Sequence, residues 1–93
     1  MSTSVSTTTN PSFEEIEVYD TEQIVTFLRK NLNLTEDNFA ILREQEVSGR
    51  AFLRLTEQKL LNPPYSLLGG PASEIAELVK QLNNQSRFYH KIV

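Results

Sequence analysis

The sequence predicts an all-α domain in which several short helices share one core and a longer helix closes the C-terminal side. Apolar residues recur at helical spacing in Ile24, Phe27 and Leu28, and again in Ile75, Leu78, Val79 and Leu82. Asp20, Thr35 and Thr56 each stand before an apolar group as candidate N-caps. The stretch "EQEVSGRAFLRLTEQKLLNPP", Glu44 to Pro64, sets close-spaced apolar residues between a glycine and a double proline. It has room only for helices of a turn or two.

The first twelve residues are nearly all Ser, Thr, Asn and Pro. They bring too little apolar surface to offset the entropy of ordering, so residues 1–12 are expected to be a flexible leader, a solvated tether rather than a phosphorylated tail. Glu14, Glu15, Glu17, Asp20 and Glu22 then cluster around Phe13, Ile16 and Val18. A short strand, an extended arm and a lead-in to the first helix all fit this segment, and the residues alone do not separate them.

Asp20 starts the first clear helix, with Gln23 three residues on as the other half of a weak capping box. Arg29 and Lys30 sit at the end where the helix dipole favours cations. Asn31 and Asn33 loosen the chain before Thr35, whose helix has Glu36 and Asp37 in its first turn and Phe39, Ile41 and Leu42 facing inward. Gly49 is expected to end this unit as a residue with free access to positive φ. "RAFLRL" then buries Phe52, Leu53 and Leu55, and Thr56 caps a further short helix ending near Leu60 and Leu61. Asn62, Pro63 and Pro64 stop it.

In the last helix, Pro71 suits the first turn and Gly70 the non-helical residue before it. The Ile75 to Leu82 stripe reaches Phe88 if the helix survives Asn83 and Asn84. Glu74 near its start and Lys80 or Arg87 later agree with the dipole. Helices as short as the middle ones are marginal in isolation, so they must share a core with the last helix as its spine.

With "IVTFL", "FAIL", "EVSGRAFLRLTEQKLL" and "GGPASEIAELVKQL" in that order, the chain resembles a sterile alpha motif (SAM) domain from about Tyr19 to Asn84. The resemblance implies a compact five-helix SAM-like bundle, with residues 13–86 as the domain and 87–93 as a C-terminal tail or linker. It also implies a non-catalytic protein-interaction module. Such modules associate with themselves, as head-to-tail oligomers or dimers, or pair with another SAM-like domain. Some bind RNA hairpins, and many lie beside a kinase or another signalling domain of the same chain. Pro63, Pro64 and Tyr65 occupy a longer loop than the family's usual glycine and aliphatic residue. Ala72 stands where the family often has a basic residue after the last-helix glycine, which puts its usual electrostatics of assembly in doubt.

SAM pairs commonly join a middle-helix patch on one molecule to the start of the last helix on another. Carried over by position, the middle patch draws on Glu44, Glu46, Arg50, Arg54 and Glu57. The opposing patch includes Gly69, Gly70, Pro71, Ala72 and Glu74. Small residues there let backbone approach closely, and a helix N-terminus attracts an acidic partner even without lysine.

The remaining function classes have less to rest on. At 93 residues with 39% apolar and 23% charged composition, the chain holds one ordinary globular domain. A net charge of −3 argues against a phosphate-backbone binder. There is no cysteine and one histidine, His90, so neither disulfides nor a Cys/His metal site is expected. No cofactor is implied. Glu36, Asp37, Glu44, Glu46 and Glu57 form a solvated acidic face rather than a catalytic set, with no nucleophile beside them. Ser48 is a turn residue, and "LLGGP" lacks the lysine and hydroxyl of a phosphate loop. The start of the last helix offers RNA no side-chain cation, and Pro71 no donor. No apolar run approaches the roughly 20 residues of a membrane span. The N-terminus does not read as a signal peptide. A cytoplasmic or nuclear setting, as the N-terminal part of a larger signalling or scaffold protein, is the expectation.

Overall fold

The structure, a computed structural model, describes the backbone of residues 11–92 and the side chains of residues 11–85. Among these residues there are six helices and no strand: α1 (Phe13–Glu17), α2 (Thr21–Asn31), α3 (Glu36–Glu44), α4 (Gly49–Leu53), α5 (Glu57–Leu61) and α6 (Gly69–Ile92). The expected leader lies outside the described residues, apart from Pro11 and Ser12.

The five expected helices are all present, and α1 precedes them. The acidic segment takes none of the three forms expected for it and makes a short helix of its own. Ser12 and Glu15 cap it reciprocally, with the Ser12 amide donating to Glu15 Oε1 at 2.9 Å and the Glu15 amide to Ser12 Oγ at 3.2 Å. Ser-x-x-Glu is the sequence signature of that device. Asp20 and Gln23 repeat it on α2, and Thr35 and Asn38 on α3. Thr56 caps α5 by accepting the Lys59 amide.

The core is built from both ends of the chain. Ile16 of α1, Ile24 and Leu28 of α2, Leu42 of α3, Phe52 of α4, Leu60 of α5 and Ile75 of α6 are all fully buried. The Phe27 and Phe52 rings meet edge to face, centroids 6.2 Å apart, in the preferred aromatic geometry. The middle helix α4 packs on α1, α2 and α6, so the short elements share one core with α6, as their lengths require.

Two local expectations are corrected. Gly49 starts α4 and does not have positive φ. Its lack of a side chain serves close approach instead: an added Cβ would lie 1.8 Å from the Ile16 carbonyl oxygen. The left-handed residue after α3 is Glu46, at φ 53°. Its amide donates to Arg43 O at 3.0 Å and the Val47 amide to Leu42 O at 3.1 Å. That is the Schellman closure, here made without glycine. Gly70, the second, lies inside α6, because the helix begins at Gly69.

The α6 backbone stays helical through Asn83 and Asn84 and reaches Ile92, through the segment assigned to the tail. Asn83 does not break it. Its Nδ2 donates to Leu53 O and to Val79 O, each at 3.0 Å, tying the end of α4 to α6.

Candidate interaction surfaces

The middle patch divides into parts. Glu44 ends α3, and Glu46 is held by the closure just described. Arg50 projects from α4, Arg54 caps its C-terminus and Glu57 lies in the first turn of α5. All five are exposed. Arg50 and Arg54 share a cleft with Phe13, Glu17, Leu53 and Asn83, where α1, α4 and α6 meet. Arg54 and Glu57 also border a groove shared with Ser73, Glu77 and Lys80 of α6. Neither cleft nor groove includes Glu44 or Glu46.

At the start of α6, Gly69 and Gly70 are exposed and Pro71 is half-buried. An added Cβ at either glycine would meet nothing within 4 Å, so the fold itself does not require glycine there. Ala72 is misassigned. It is fully buried in the core, because a residue three places before Ile75 falls on the same inward face. Glu74 does face outward, beside Glu77, Gln81 and the half-buried Leu32 and Leu78. These four neighbours were not among the expected surface residues, although Glu77 and Gln81 follow Glu74 at i+3 and i+7.

Two ion pairs join α2 to α3. Arg43 Nε donates to Glu22 Oε2 at 2.9 Å and Arg43 Nη2 to Glu22 Oε1 at 3.1 Å. Arg29 grips both oxygens of Glu36 and also lies over the Phe39 ring, 4.5 Å from its centroid. The hydrogen bond from Arg43 is the main cause holding the Glu22 carboxyl below the ordinary glutamate value. Arg29 does the same for Glu36. Each arginine is correspondingly raised by its carboxylate. Glu36 is thus paired rather than simply solvated. Arg50 and Arg54 make no ion pair with the described residues.

Another groove, of about 560 Å³, runs beside α2 and is lined by Tyr19, Asp20, Glu22, Gln23 and Lys30 among others. Its acidic groups already have partners: Asp20 and Gln23 cap one another's backbone, and Glu22 holds Arg43. Among the described residues, no three His, Cys, Asp or Glu side chains converge as a metal site. No helix there is long and apolar enough to cross a membrane.

A family model described as a SAM-like domain matches residues 1–81. No curated protein and no solved structure matches the chain at a significant level.

Proposed function

The chain belongs to the SAM-like domain family, in general non-catalytic protein-interaction modules, and from that premise we propose that it associates with itself or pairs with another SAM-like domain. The observation that carries this is the contrast among the arginines. Arg29 and Arg43 are satisfied within the fold, whereas Arg50 and Arg54 project from a well-packed corner without a partner among the described residues. Buried Phe52 and Leu53 hold that corner in place. Two adjacent cations displayed in this way support an encounter with an acidic surface on a partner. The setting proposed is a cytoplasmic or nuclear signalling scaffold.

RNA-hairpin binding has weaker support. The exposed side chains on the first turns of α6 are Ser73, Glu74 and Glu77, and the two carboxylates repel phosphate. Light scattering or sedimentation across protein concentration, at low and moderate salt, tests the self-association arm. Mean mass should rise with concentration and the rise should weaken with salt. A monomer at every concentration and salt removes self-association and leaves pairing with a second SAM-like domain.

A further inference from the structure

We infer that the pole formed by the α5–α6 loop and the first turn of α6 meets the same pole of another copy across a two-fold axis. The inference rests on the self-association proposed above, and the contact leaves the arginine corner free. No residue from Leu60 to Ser73 is charged, in a chain where 23% are. This is the longest uncharged run among the described residues. Leu68, 77% exposed, and Leu61, 43% exposed, both lie in it. Pro63 and Pro64 between them are exposed as well.

These leucines are held outward by an ordered loop. The amides of Tyr65 and Ser66 donate to Asn62 O at 3.1 and 3.0 Å, and the Leu67 amide to Leu60 O at 2.8 Å. Leu60 and Leu67 are buried and each is followed by an exposed leucine, so Leu61 and Leu68 leave the core from neighbouring points. Ser66 takes φ 50°, a left-handed conformation that is costly without glycine and is kept by the bonds around it. Gly69 and Gly70 follow, both exposed, with nothing of the fold within 4 Å of an added Cβ. Bare backbone there gives a neighbour room for close approach.

Charge decides what the neighbour is. A charged surface laid on this pole would lose its water and find no counter-charge, an uncompensated cost. The charges that flank the run in sequence are engaged elsewhere. Lys59 Nζ donates to Arg54 O at 3.2 Å, and Glu74 borders the groove with Leu32 and Leu78. The fitting partner is therefore uncharged and apolar, and a second copy presents such a surface in this same pole. A patch that meets itself is isologous, so assembly closes at two chains instead of propagating. With about ten residues a side, against roughly 20–30 in a stable interface, the dimer is weak.

Sedimentation of the full chain across concentration, in molar salt, isolates this contact, because such salt screens exposed charges and leaves apolar burial intact. Mean mass should rise toward that of two chains and stop there. One variant combines Leu61→Ser with Leu68→Ser and should weaken the dimer by at least about tenfold, because each lost side chain counts twice across the axis. A second combines Gly69→Ala with Gly70→Ala and should weaken it too, since the added methyls hold the poles apart. All four residues are exposed, and thermal unfolding checks that each variant folds. Association that disappears in molar salt, grows past two chains there or persists undiminished in either variant overturns this contact while self-association stands. A wild type that is monomeric under every condition overturns both.

Discussion

A Cβ on Gly49 would lie 1.8 Å from the carbonyl oxygen of Ile16, so α1 and α4 touch backbone to backbone. The amide of Gly49 completes the contact by donating to Tyr19 O at 2.9 Å. Gly49→Ala has to force the two helices apart. A loss of about 1–3 kcal/mol or more is expected in urea unfolding, the usual range for overpacking. A variant within about 0.5 kcal/mol of wild type would mean that α1 is not docked as described.

Asn83→Ala removes the donor shared by Leu53 O and Val79 O. Val79 O belongs to the α6 ladder, but Leu53 O lies at the end of α4 and loses a long-range partner. The expected cost is about 1–2 kcal/mol, reduced slightly by the better helix propensity of alanine. Denaturant unfolding measures it, and a net gain in stability would contradict the tie.

Glu46→Gly should stabilise. Glu46 has φ 53°, where a side chain crowds its own backbone, and glycine relieves that by about 0.5–1 kcal/mol after its greater unfolded-state freedom is counted. Urea unfolding measures it, and an unchanged or lowered stability would contradict a strained Glu46.

The two ion pairs make stability depend on pH in a definite direction. Glu22 and Glu36 are lowered in the folded state, first by the hydrogen bonds from Arg43 and Arg29. The unfolded chain therefore takes up protons before the folded one does. Their contribution is complete above the ordinary glutamate range and is lost as pH falls through the lowered folded values. At low salt, the unfolding midpoint of wild type should fall more on acidification than that of a variant combining Glu22→Gln and Glu36→Gln. Parallel pH profiles would deny the pairs any role.

Much of this architecture is legible in local chemistry. Asp20, Thr35 and Thr56 cap the helices their positions announce, and the Ile75, Val79 and Leu82 stripe is buried. What escapes is whatever depends on distant segments meeting. Gly49 looks like a turn glycine until Ile16 arrives beside it from more than thirty residues away. Asn83 looks like a helix breaker until Leu53 O is within reach. Of the candidate surface, Arg50, Arg54 and Glu74 face outward as expected, but Ala72 turns inward, three places before Ile75 on the same face of α6. The pairing of Glu36 with Arg29 depends on the turn between α2 and α3, which periodicity does not describe.

Phe13 stands on α1 and is also a wall of the arginine cleft, a dual position with a consequence for local unfolding. A five-residue helix anchored mainly by Ile16 and the Tyr19–Gly49 hydrogen bond is a natural small opening unit. Any neighbour that seats in the cleft binds the docked form of α1 and not the opened form, so occupancy and docking are linked by mass action. The Gly49 amide reports that linkage without touching the neighbour. As such a neighbour is added, its exchange with deuterium should slow, turning one interior proton into a gauge of contact at the surface.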